Sequence, residues 1–212
     1  MSDVLISKND VDEHCSWQPY ERSPLTDVGG VNPTHLVKDP TVWIEEVRGV
    51  SQLILRGNPE NSEFLSSAQV ALNIMLPLVP NTSTETEAYR TFWLSPDEWL
   101  IVAQSSDAIG VESILRNSLS DDCALTDVSG GQVLLRLEGQ NAENVLKKST
   151  SYDLGKLTIG KTVGTCVAKS NVRICRVDNQ SFELIVRRSL ANYLLTWLMD
   201  ASQEYGVVFR RQ

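Results

Sequence analysis

Glu98-Trp99-Leu100-Ile101-Val102 and, from 83 residues further on, Ser181-Phe182-Glu183-Leu184-Ile185-Val186 decide how this chain is read. In each, an aromatic residue opens an aliphatic run of strand length. The helix behind each run keeps the same offset, Ile114-Leu115 against Trp197-Leu198. Upstream of both, Glu46-Val47-Arg48-Gly49 followed by Leu53-Ile54-Leu55 is echoed by Asp127-Val128-Ser129-Gly130 followed by Val133-Leu134-Leu135. Order, residue type and spacing all recur, so the sequence reads as an ancestral duplication. We take residues 41–122 as a first α+β repeat and 123–212 as a second.

The second copy predicts most of its own elements. Val133, Leu135 and Leu137 alternate as a strand, after which Asn141 is placed to cap a helix with the face Ala142, Val145, Leu146 and Ser149. Residues 162–169 and 171–177 are rich in β-branched residues, and Asp178-Asn179-Gln180 is turn chemistry before the next strand. Ser189 takes an N-cap position ahead of an apolar face of Leu190, Tyr193, Leu194, Trp197, Leu198, Ala201 and Tyr205, closed by Gly206. In the first copy the pattern gives a strand, a helix near 59–68, strands near 88–94 and 98–103, and a helix from Asp107. Antiparallel strands with helices on one side make each repeat α+β. Trp99 and Trp197 are expected in the core.

The first 40 residues differ. They hold both histidines (His14, His35) and four of the eight prolines, with no sustained period. Such a stretch has no face of its own to bury, so it is read as an extended arm. Trp17, Tyr20, Ser23, Pro24 and Leu25 are its expected partner-interface residues, because aromatic and apolar anchors on a loose arm suit docking.

Composition narrows the function. The 212 residues carry a net charge of −8, which repels phosphate backbones and acidic headgroups and speaks against nucleic-acid or membrane-surface roles. Ile74–Val79, the longest apolar run, is short and broken by Pro77, far from the roughly 20 residues of a span. No signal-peptide core can be drawn in the first 20 residues, and Cys15, Cys123, Cys166 and Cys175 show no CxxC spacing. The expected setting is cytoplasmic, with reduced thiols.

Motifs for chemistry are sparse. Gly155–Thr162 matches the pattern G-x-x-x-x-G-K-[ST] at every fixed position. A phosphate cradle, however, needs the loop to leave a strand and open a helix. Here a helix-like segment precedes it and Thr162-Val163-Gly164-Thr165-Cys166-Val167 reads as a strand; Asp178 is the best strand-end acid. His14 and Cys15 are adjacent, so their side chains diverge, and no second ligand pair stands at chelating distance. Glu45-Glu46, Asp97-Glu98 and Asp121-Asp122 pair carboxylates in sequence only. We therefore name no catalytic, cofactor-binding or metal-binding residue.

Leu94-Ser95-Pro96-Asp97-Glu98-Trp99-Leu100 and Ser181–Ser189 resemble segments of the gamma subunit of heterotetrameric sarcosine oxidase. Asp127-Val128-Ser129 with Leu135-Arg136-Leu137-Glu138-Gly139, and Arg22-Ser23-Pro24-Leu25 on the arm, are similar to that family too. The likeness spans about residues 20–206. It implies a shortened folate-binding fold like that of aminomethyltransferase, the glycine-cleavage T protein. It also implies a place in a complex that oxidatively demethylates sarcosine to glycine, with hydrogen peroxide and methylenetetrahydrofolate as products. The partners implied are the alpha, beta and delta subunits, which between them hold FAD, FMN, NAD, tetrahydrofolate and zinc. The chain itself is expected to be a non-catalytic structural subunit without a cofactor, the alternative being a free-standing folate-binding or regulatory module. The P-loop spelling departs from the family, and no folate-binding acid maps onto this sequence.

Overall fold

A computed structural model describes residues 23–26, 39–119 and 121–210. Its elements run β1 (Val42–Val47), β2 (Ser51–Gly57), α1 (Ser62–Leu72), β3 (Ser83–Glu85), β4 (Tyr89–Ser95), β5 (Glu98–Ala103) and α2 (Ala108–Ser118). The same order then returns as β6 (Cys123–Asp127), β7 (Gln132–Glu138), α3 (Ala142–Ser149), β8 (Thr162–Val167), β9 (Ser170–Arg176), β10 (Ser181–Arg187) and α4 (Ala191–Ala201). One further strand, β11 (Val207–Arg210), has no counterpart.

Two sheets result, ordered β3-β4-β5-β2-β6 and β11-β1-β7-β10-β9-β8. Position for position, the first matches the second without β11, provided β6 stands for β1. Each repeat thus lends its opening strand to the other's sheet. The echoed quartets at 46–49 and 127–130 are where the chain crosses between sheets: β1 pairs with β7 and β11, whereas β2 pairs with β5 and β6.

Period-two alternation sorts the strand residues into three layers of core. Leu53, Leu55, Trp99 and Ile101 pack with Phe64, Ala68, Leu72, Val111 and Leu115 of α1 and α2. Leu135, Leu137, Phe182, Leu184 and Val186 pack with Val145, Leu146, Leu194, Leu195 and Leu198 of α3 and α4. The intervening positions, among them Phe92, Leu100, Val102, Leu134, Cys175 and Ile185, meet between the sheets. The layers run helix, sheet, sheet, helix, so β5 and β10 are buried on both faces, as their continuous apolar runs require.

Local chemistry sets the element ends. Asn61 caps α1 by accepting from Glu63 N and Phe64 N, one turn later than the sequence pattern suggested, and Asp107 caps α2 through Gly110 N as expected. Three expectations need correction. Asn141 flanks α3 but makes no cap bond; its amide donates to Thr41 Oγ1 instead. Ser189 is not an N-cap, because a 3₁₀ turn (Arg188–Leu190) precedes α4. The buried stripe of α4 is Ala191, Leu194, Leu195, Leu198 and Met199. Tyr193 and Trp197 lie on its rim, Trp197 being 40% exposed with its indole N–H donated to Ser149 Oγ. An amphipathic ring prefers that edge, one end dry and the other wet. Trp99 is fully buried, tilted against Phe64 at 5.8 Å, and donates to Pro77 O.

Candidate functional site

The polar groups worth testing for chemistry lie between the sheets. Glu183, 1% exposed, projects from β10 into that layer. Its Oε1 accepts from Arg136 Nη2 of β7 at 3.0 Å, and its Oε2 pairs with Arg90 Nη1 of β4 in the other sheet. Arg90 is held from its far side by Glu85 at 2.8 Å. Burial pulls the Arg90 guanidinium pKa down, but the adjacent Glu183 carboxylate outweighs that effect and the net shift is upward. This cluster ties one sheet to the other.

Strand pairing identifies its duplicate. Arg90 stands opposite Val102, and Arg173 opposite Ile185, with Val102 and Ile185 at matching places in β5 and β10. By the same register Leu100 corresponds to Glu183. Arg173 therefore repeats Arg90 in a setting where leucine stands at the carboxylate's position. It donates to Trp93 O at 3.1 Å, and burial lowers its pKa from the ordinary value. It borders a cleft of about 570 Å³ whose lining includes Leu94, Leu100, Gln132, Asn171, Arg173 and Ile185.

A second cleft, about 290 Å³, opens at the strand crossings between Glu46–Gln52 and Ser129–Leu134, and Ser23 and Pro24 form part of its wall. Ser23 Oγ donates to the Glu46 carboxylate, at 2.6 Å from Oε1 and 2.7 Å from Oε2, while Arg48 Nε donates to Glu46 Oε2. Leu25, 1% exposed, sits in the core beneath α3 and α4. Of the residues expected to meet a partner, Leu25 is thus spent inside its own chain, whereas Ser23 and Pro24 are half-buried at the surface. Trp17 and Tyr20 lie outside the described residues, as do His14, Cys15 and His35.

The P-loop spelling folds as the order of elements required. Gly155 and Lys156 belong to a 3₁₀ turn and Thr162 begins β8, so no helix opens after the loop. The amides a phosphate would need are already committed: Gly160 N to Arg176 O, Lys161 N to Thr158 O and Thr162 N to Asn81 O, at 2.9–3.0 Å. Gly160 (φ +78°) turns the chain so that its carbonyl accepts from Ser83 N and Ser83 Oγ of β3. The segment stitches the edge strands of the two sheets. Asp178 serves its turn by accepting from Gln180 N.

Two further titratable groups are set by their neighbours. Asp97 is held below the usual carboxylate range by hydrogen bonds from Arg56 and Ser95. Cys175 is buried beside Ser83, and burial pushes its thiol up to about 11; Cys166 is exposed. Among the described residues no group of His, Cys, Asp and Glu is placed to hold a metal, and no helix is long and apolar enough to cross a membrane.

The chain is a duplicated α+β module whose fold is similar to that of an aminomethyltransferase. The aminomethyltransferase T of the glycine cleavage system from Bartonella henselae superposes with a TM-score of 0.60 at 18% identity, over 80% of this chain and 48% of that one. The chain belongs to the sarcosine oxidase gamma subunit family, whose model matches residues 56–204. It is 28% identical over 190 residues to the sarcosine oxidase subunit gamma of Corynebacterium sp. strain U-96, covering 87% of this chain and 91% of the relative. A heterotetrameric sarcosine oxidase from that strain, solved with pyrrole 2-carboxylate, contains a chain that superposes with a TM-score of 0.75 at 26% identity, over 87% of this chain and 96% of that one.

Proposed function

We propose that this chain is a structural, non-catalytic gamma subunit of a heterotetrameric sarcosine oxidase. The observation that carries the reading is the end-to-end superposition, 96% of the matched chain, on a polypeptide of such an oxidase. The complex would oxidise sarcosine to glycine and yield hydrogen peroxide and methylenetetrahydrofolate. Alpha, beta and delta subunits would hold the flavins, NAD, folate and zinc. Buried charges that join sheet to sheet, Glu183 with Arg90 and Arg136, suit a structural subunit. The body would be repeats 41–122 and 123–212 with exchanged opening strands, and the arm, 1–40, would reach a partner through Trp17 and Tyr20 and the exposed parts of Ser23 and Pro24.

The test is to purify the chain from its native cells and record molar mass by light scattering, flavin absorbance and sarcosine-dependent peroxide together. A large flavin-bearing complex, from which this chain separates colourless, is expected. A small colourless species without oxidase activity refutes the reading. The inter-sheet cleft favours a second one, a free-standing folate-binding module, which tetrahydrofolate binding by the isolated chain would select.

A further inference from the structure

The duplication provides an internal control for every position between the sheets. At Arg90 a mostly desolvated guanidinium faces a fully buried carboxylate, Glu183. At Arg173 the same strand position and the same face carry the same guanidinium, but the register partner of Glu183 is Leu100, 2% exposed. Among the described residues no carboxylate lies within ion-pair distance of Arg173, and Arg173 Nη1 donates to the carbonyl of Trp93. A guanidinium has five N–H donors, so one carbonyl leaves most of them uncommitted. Burial that Cys175 and Glu98 offset only in part, with no carboxylate in direct contact, also explains why the pKa shift at Arg173 is opposite in sign to that at Arg90.

The space beside the two arginines differs as well. Beside Arg90 only about 100 Å³ is open, whereas the Arg173 side is a cleft of about 570 Å³, within the ~300–1,000 Å³ of small-molecule sites. Its apolar wall is Leu94, Leu100 and Ile185; Gln132 and Asn171 supply amides, and the exposed Arg187 adds a second cation. Gly164 flanks the guanidinium, since a Cβ built there would stand 3.8 Å from Arg173 Nη2. An apolar body with one anionic end is what such a wall and such a donor select, and the fork of a guanidinium matches a carboxylate in particular.

We infer that the inter-sheet cleft binds a small organic monocarboxylate, its carboxylate on Arg173 in the place Glu183 holds beside Arg90, and its apolar body against Leu94, Leu100 and Ile185. The ligand completes the second half of a charge pattern that the chain completes by itself only once.

Sodium benzoate is the probe, with benzamide as the uncharged match, titrated by calorimetry into the full chain and into the assembled complex. Benzoate is expected to bind the full chain at one site, and the complex at that site besides any substrate site of the partners, at least about tenfold more tightly than benzamide, and Arg173→Gln to weaken the shared site at least about tenfold. That loss is the size expected when one charge-assisted contact is removed. Arg48→Gln, at the other cleft, should leave it unchanged. Arg173→Lys, which keeps the charge and loses the fork, should fall between wild type and Arg173→Gln. Thermal melting checks that each variant is folded; should Arg173→Gln fail to fold, the Arg173→Lys titration decides. Equal binding of benzoate and benzamide overturns the inference, as does binding that neither Arg173 variant weakens. Binding to the isolated chain but not to the complex also overturns it, because a partner's own acidic side chain would then be the occupant.

Discussion

Leu25→Ala tests whether the short segment at residues 23–26 is part of the body or a hook for another chain. Leu25 is 1% exposed and belongs to the same core cluster as Val145, Leu146 and Leu198. Truncating a buried leucine costs about 2–5 kcal/mol, through lost transfer energy and the cavity left behind. In a chain of this size each kcal/mol moves the melting midpoint by roughly 2–4 °C, so a cost near ~3 kcal/mol lowers it by about 6–12 °C. Ser23→Ala acts on the same segment. It removes the hydroxyl from a carboxylate that is 6% exposed, and a hydrogen bond to a charged group is worth about 1.5–3 kcal/mol. Ser23→Ala and Glu46→Gln touch one another, so their double mutant should fall short of additivity by about 0.5–3 kcal/mol. Urea and thermal unfolding of the isolated full-length chain read all three. If Leu25→Ala shifts the melting midpoint by less than about 1 °C while weakening assembly, Leu25 is an intermolecular anchor and its placement in the core is refuted.

Other expectations follow from single contacts. Glu183→Ala should destabilise the chain by about 3–5 kcal/mol in urea titrations, because it leaves two guanidinium groups facing each other across the sheets; a loss under ~1 kcal/mol would mean the cluster is not a clamp. Gly139→Ala should be among the most damaging changes outside the helices and strands, with soluble yield or midpoint falling sharply, since its φ is +118° and a Cβ would stand 2.1 Å from Thr41 O. Cys175, raised by burial from 9.0 to about 11, stabilises the fold fully below pH 9, and that contribution is lost as pH climbs towards 11 because the unfolded thiol ionises first. Cys175→Ala should therefore flatten the alkaline limb of stability, and a thiol reagent at pH 7 should label Cys166 well before Cys175. Calorimetry with Mg·ATP should give no binding heat, because the Gly160–Thr162 amides are already bonded; an affinity that Lys161→Ala abolishes would contradict that assignment.

The duplication could be read from sequence because it survives in residue type at fixed spacing. Trp99 and Phe182 open equivalent strands, and the helices Ala108–Ser118 and Ala191–Ala201 keep the same length. The exchange of opening strands could not. Val42–Val47 and Cys123–Asp127 alternate in the same way whichever sheet they join, and pairing partners leave no mark within a single strand. Strand β11 escaped notice for a related reason: four residues after a turn are too few for a period. The rim position of Trp197 was hidden because a helical stripe drawn from Leu190 and one drawn from Ala191 share Leu194 and Leu198. Only the indole's bond to Ser149 separates them.

The interior clefts were illegible for a deeper reason. Function between two packed sheets depends on which face each strand turns inward and on which strand lies opposite, and both are facts of pairing. Arg90 and Arg173 look alike in sequence, each a basic residue in a β-branched or aromatic stretch. Pairing makes them the same position, and Glu183 against Leu100 makes them chemically different. A duplicated chain that kept both carboxylates would have two closed clamps. This one keeps a clamp on one side, which holds the sheets in register, and a leucine on the other, which leaves a cation facing a cavity. Divergence between the copies, rather than any conserved catalytic spelling, is therefore where a duplicated scaffold of this kind acquires room for a ligand.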